Sequence, residues 1–178
     1  KDVIFERLWR TVQYNFVVMV LTFAIGIPLG TWAALKRGTW MDPASISTFL
    51  LFASVPVVVA IPMLQWLLSV KLDLLPAAGW REHSILGVKL GIFSKEAILP
   101  IIVLTLPGVG GLARYMRAQV MDVMDQDYVR TARSKGLGEF VVVTRHVARN
   151  AMLRSATIMG FELAALFSGA IITETLMG

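Results

Sequence analysis

Apolar positions run along this chain in four long stretches, and the charged residues collect between them. Thr11–Leu35 holds 25 residues without a formal charge and Pro43–Val70 another 28, each longer than the roughly 20 residues a helix needs to cross a hydrocarbon core. Ala97–Ala113 adds 17, and its helix is predicted to continue to about residue 117 because Arg114 and Arg117 can extend their charged ends toward headgroups. Ser155–Thr173 forms a fourth stretch, interrupted only by Glu162. The pattern therefore predicts spans over about 11–35, 43–70, 97–117 and 155–173. Pro28, Pro56, Pro62, Pro100 and Pro107 lie inside these stretches, so kinked helices are expected, since neighbouring helices can re-satisfy the freed backbone groups. Gly26 and Gly30 form one small-xxx-small pair suited to close helix packing.

Between the third and fourth stretches the periodicity changes character. YVRTARSKGLGEFVVVTRHVARNAM, from 128 to 152, carries Arg130, Arg133, Lys135, Arg145, His146 and Arg149. Leu137, Phe140, Val141, Thr144, Ala148 and Ala151 recur at helical spacing, with Gly138, Val142, Arg145 and Arg149 on the opposite side. A shorter helix fits Tyr128–Lys135, and Gly136 suits its end because glycine enters the left-handed conformation readily. The expectation is a helix, a sharp turn and a second helix. Such an element can lie on anionic lipid or dock into a groove on a soluble partner, and the pattern leaves both open.

Four spans place the 36–42 turn and the 114–154 segment on one side, with ten of the 17 lysines and arginines. That excess points to the cytoplasm, with Trp66 and Trp80 at the outer interface and Trp32 and Trp40 at the inner one. A mean hydropathy of +0.69 and only 16% charged residues make the bilayer the natural solvent. The net charge of +5 fits that asymmetry, and no nucleic-acid motif accompanies it. Cysteine is absent, which excludes disulfides and thiolate chemistry. His83 and His146 lack neighbouring ligands at metal spacing. Asp122, Asp125 and Asp127 read as a solvated helix end near the arginines rather than a calcium loop. No Gly-x-Ser-x-Gly, His-Glu-x-x-His or paired intramembrane carboxylates suggest an enzyme. Glu162, costly inside a span, should face a bundle interior, a polar cavity or a partner, as a structural pair or as part of a pathway.

DYVRTARSKGL followed by RHVARNAM resembles the cytoplasmic loop of ATP-binding cassette (ABC) importer permeases of the dipeptide, oligopeptide and nickel group. GIPLGTWAALKRGTWMD, SVPVVVAIPMLQWLLSVKLDLLPAAGW and ILPIIVLTLPGVGGLARYMRAQVMDVMDQDYVRTARSKGL are similar to consecutive segments of the same family, in order and spacing. Of the general loop pattern, Glu-Ala-Ala and a glycine after three residues, only Ala132 and Gly136 match; Gln126 and Arg154 also depart from the family's usual glutamate and proline. The resemblance implies an all-α membrane protein, the core of a type I importer permease, with four transmembrane helices here and a cytoplasmic coupling segment over about 122–152. The family has one further span on each side of this region, so a core excerpt is expected.

The same resemblance assigns ATPase coupling to Tyr128, Arg130, Thr131, Ala132, Arg133, Lys135, Gly136 and Leu137. Tyr128, Ala132 and Leu137 would fill a groove, and Arg130, Arg133 and Lys135 would pair with acids at its rim. No Gly-x-x-x-x-Gly-Lys-Ser/Thr loop is present, so no cofactor is assigned to the chain, and Mg-ATP belongs to a separate ATPase. The implied partners are ABC ATPase subunits, a second, paralogous permease subunit, an extracytoplasmic substrate-binding protein and the bilayer. The implied setting is a bacterial or archaeal inner membrane, and the implied cargo is peptides, with nickel or another small solute as the alternative. A secondary transporter and a membrane anchor with a lipid-binding basic loop are the remaining readings.

Overall fold

The computed structural model describes residues 2–76, 79, 83–85, 88–90 and 94–165, and these are mostly helical. Helix α1 runs Asp2–Leu35, straight through Pro28. A turn with Gly38 at φ +76° leads into α2, Met41–Ser54. Helix α3, Val57–Gln65, continues as a widened helical turn over Trp66–Lys71. A short antiparallel pair, β1 His83–Ile85 and β2 Val88–Leu90, precedes α4, Lys95–Met124. Beyond it come α5, Asp127–Ser134, and α6, Glu139–Val141, which passes through a widened turn over Val142–Ala148 into α7, Arg149–Ala165.

Three features differ from the sequence expectation. The 43–70 stretch is interrupted at Ser54–Pro56 instead of forming one helix. Proline disfavours helical backbone in the residue before it and has no N–H to give to the preceding turn. Pro56 instead sits in extended backbone, φ −61° and ψ 133°, and its carbonyl accepts the amides of Val59 and Ala60, so the helix restarts after it. The chain is also not wholly helical. Ile85 pairs with Val88 across a two-residue connection, a length at which β-branched residues favour a hairpin. The third helix, expected to about 117, reaches Met124, carried by Val120 and Val123 on its buried side.

Thr11–Leu35 and Lys95–Met124 are long and apolar enough to cross a membrane, and the broken pair α2 and α3 makes a third if counted as one span. The fourth expected span is helical as far as Ala165. Its remainder over 166–173, together with Trp80, Glu174 and the side chains of His83 and Glu162, lies outside the described residues; the backbone of Glu162 is part of α7.

The chain divides into two compact units, one of residues 1–21, 54–107 and 162–178, the other of 22–53 and 108–161. In the first, Ala60 and Ile61 of α3 pack on Leu99 and Val103 of α4, with Leu64 and Leu75 against them. The second unit holds the larger core, in which Ala34, Leu112, Met116, Val120 and Val123 meet Val129, Ala132, Val142, Val147 and Ala151. Its helices approach closely where glycine removes a side chain. A Cβ on Gly30 would lie 2.7 Å from the Cβ of Met116 and against the carbonyl of Ala113, and one on Gly26 would lie 3.1–3.2 Å from Leu112. The expected small-xxx-small pair is thus the seam between α1 and α4. Gly108 against Thr22 and Gly110 against the Phe49 carbonyl extend the same device.

Candidate functional site

Helix α5 begins at Asp127 and ends with Arg133 in its last turn, which places an acid at the positive end of the helix and a base at the negative end. Asp127 also lies 3.8 Å from Arg130, one turn on. The helix is strongly amphipathic: Val129 and Ala132 are buried in the core that α4 shares with the widened turn over Val142–Ala148, while Tyr128, Arg130, Thr131 and Arg133 face outward. At its end the Lys135 amide donates to the Thr131 carbonyl (3.1 Å) and the Gly136 amide to that of Arg133 (2.9 Å). Gly136 then takes φ +76°, the left-handed conformation expected of it. The chain reverses, Gly138 accepts the amides of Val141 and Val142, and α6 begins.

The turn is braced twice. Arg133 donates from Nη2 to Glu139 Oε1 at 2.8 Å and from Nε to Oε2 at 3.3 Å, a two-pronged pair joining the end of α5 to the start of α6. The hydrogen bond to Glu139 raises the Arg133 pKa above its ordinary value, partial burial opposes the rise, and the charge of Glu139 adds to it. A raised folded-state pKa adds stability in full below the unfolded value and loses it only as pH passes the folded one, so Arg133 is charged at any working pH. At the other end Asn150 Nδ2 donates to the Tyr128 hydroxyl at 3.1 Å and to the His146 carbonyl at 2.9 Å. The two halves of the recognised motif, Tyr-Val-Arg and Arg-Asn-Ala, are therefore in contact.

Two placements differ from the sequence expectation. Ala132, expected to enter a partner's groove, is buried inside the chain's own core at 5% exposure. The second helix also presents a different face. Val142, placed on the basic back, is fully buried with Val143, Val147 and Ala151, whereas Leu137 and Phe140 of the expected apolar face are exposed, Phe140 at 81%. The widened turn over Val142–Ala148 holds more residues per turn than 3.6, so a stripe drawn at ordinary helical spacing drifts off the buried side. Tyr128, Leu137 and Phe140 are the large apolar side chains that this element leaves in the open.

The turn at 36–42 lies at the same end of this unit as the foot of α4, as the alternation of spans required. Arg117 of α4 donates from Nε to Asp42 Oδ1 at 3.0 Å and from Nη2 to the same oxygen, with both side chains about 85% buried. Asp42 also accepts the Gly38 amide at 3.4 Å. Arg37 lies 3.6 Å from Asp125, so with Asp127 beside Arg130 two of the three acids of the run are charge-paired. Arg117 had been expected to reach for headgroups; a partner 75 residues away has no local sequence signal. Glu139 and Phe140 had a weak one, as the first charge and first aromatic after the glycine turn.

Residues 26–178 match the model of the family described as "Binding-protein-dependent transport system inner membrane component". The chain belongs to that family. Its relatives include a putative peptide transport system permease protein of Brucella abortus, 37% identical over 95% of this chain and 53% of the relative. The dipeptide transport system permease protein DppB of Escherichia coli K12 is 32% identical over 96% of this chain and 56% of its own length. DppB of Alkalihalophilus pseudofirmus is 30% identical over 97% and 58%. The chain spans about half the length of the curated relatives it matches. The family match covers the end of α1, all of α4 and the whole helix, turn and helix at 127–148.

Proposed function

We propose that this chain is the core of a permease subunit of an ABC importer for peptides, and that α5, the Gly136 turn and α6 form the element through which a separate ATPase drives it. The observation that carries this reading is an apolar tip, Leu137 and Phe140, held outside a helix pair whose opposite side is sealed into the protein's own core. A surface of that kind is stiff, because moving it means moving α4 and α7 with it. It is also adhesive, because exposed aromatic and aliphatic groups gain most when a partner covers them. Nucleotide-driven closure of an ATPase around the tip would then be transmitted to α4, and so to the pathway, with little lost in bending. Orientation toward the cytoplasm follows from the basic excess at this end, and an extracytoplasmic binding protein and a second permease subunit complete the assembly. Peptide as cargo rests on the names of the relatives from Brucella and Escherichia.

The reading divides from a lipid-lying basic loop at Phe140. The full-length permease is co-expressed with its ATPase and purified, and Phe140→Asp is compared with the parent. Docking expects the ATPase to be lost from the purified complex while the permease still inserts. A variant that keeps its ATPase and imports labelled dipeptide at the parental rate refutes the coupling role.

A further inference from the structure

Arg133 was expected to act on an acidic rim of the ATPase, but its guanidinium is already engaged at both prongs by Glu139. The pair closes a loop from residue 133 to 139 at whose centre Gly136 leaves room for a side chain: a Cβ there would meet nothing within 4 Å. No contact at the glycine itself holds the turn. Its flanks are anchored by Ala132 and Val142 in the core and by backbone hydrogen bonds, and across it run the left-handed backbone of Gly136 and the side-chain bridge. The bridge joins the helix carrying Tyr128 to the segment carrying Leu137 and Phe140, so it governs how these exposed groups are set relative to one another.

We infer that Arg133 and Glu139 form a positioning clamp, an internal strut that sets the presentation of the Tyr128, Leu137 and Phe140 surface to the ATPase rather than a contact with that ATPase. The inference rests on the docking role proposed above. It assigns Arg133 a partner within its own chain, and it gives Glu139, outside the expected coupling set, a defined part. The two-pronged geometry also matters. A lysine keeps the charge but offers one prong, so charge alone does not restore the strut.

The test uses the assembled transporter in proteoliposomes and reads two quantities: ATP hydrolysed per dipeptide imported, and the amount of ATPase that co-purifies. Arg133→Glu and Glu139→Arg are each expected to raise the ATP cost per peptide by about two- to fivefold, the reach of a half-exposed pair. The double exchange, Arg133→Glu with Glu139→Arg, is expected to return it to near the parental value, and Arg133→Lys to lie between. Glu139→Gln should be as damaging as Arg133→Gln. If the double exchange fails to rescue while the ATPase still co-purifies, or if Glu139→Gln is harmless while Arg133→Gln uncouples, the arginine serves the partner and the clamp is refuted. If the parental complex holds no ATPase at all, it is the docking role that falls, and the clamp with it.

Discussion

The Gly136 turn permits a test in which sterics and backbone strain separate. Its φ of +76° is one that L-residues enter at a cost of about 1–2 kcal/mol, with asparagine penalised least and β-branched residues most. Since no heavy atom would lie within 4 Å of a Cβ at this position, the Cβ itself adds no clash, and backbone conformation is the main term that ranks the substitutions. Gly136→Asn should shift the turn by less than about 1 kcal/mol, Gly136→Ala by about 1, and Gly136→Val by about 2 or more. At about 1.4 kcal/mol per factor of ten, that is a few-fold to about thirty-fold loss of the native turn. Hydrogen exchange at the amides of Lys135 and Gly136, which close α5, reads the turn directly, and dipeptide import per ATP reads its consequence. The expected order in both is Gly, Asn, Ala, Val, with the valine variant still hydrolysing ATP and still inserted in the membrane. Equal coupling across the series, or asparagine as damaging as valine, would show that the left-handed turn is not what transmits force.

The seam of α1 and α4 should tolerate no side chain at Gly30: Gly30→Leu must displace backbone at Ala113, and a loss of about 1–3 kcal/mol should appear as earlier thermal unfolding in detergent. Arg117→Met strands Asp42 in a largely buried site and should cost about 1–3 kcal/mol, whereas Arg117→Met with Asp42→Leu should recover most of it in the same melt. Val129→Asp buries a charge beneath α5 and should release the whole element from α4, measured as protease cutting within 125–140, without preventing insertion of α1.

Much of this molecule was legible from periodicity because the rules involved are local. An uncharged run longer than a bilayer is thick marked α1 and a shorter one, extended by Arg114 and Arg117, the body of α4; the glycine after TARSK marked the left-handed end of α5, and alternating sides put the 36–42 turn with the foot of α4. Position 56 departs from the rule that a membrane helix absorbs proline as a kink. Pro28, Pro100 and Pro107 are absorbed in that way, each within an unbroken helix, while Pro56 starts a new one. Proline's effect depends on whether neighbouring groups can replace the bond it removes, and that is not written in the proline.

Residue chemistry and spacing, read along the chain, were enough to expect long apolar helices and a basic helix, turn and helix after them, because hydrophobic length and glycine's left-handed freedom are properties of short segments; the permease family came from the resemblance of the motif and the family match. Which partners the charged groups choose, and which face of the second helix is hidden, was decided only in three dimensions. Arg133 found Glu139 and Arg117 found Asp42 because folding back brought them together, and one widened turn was enough to exchange Val142 for Phe140 on the surface. A helical stripe is an angle accumulated per residue, so a small local change of pitch redirects everything beyond it.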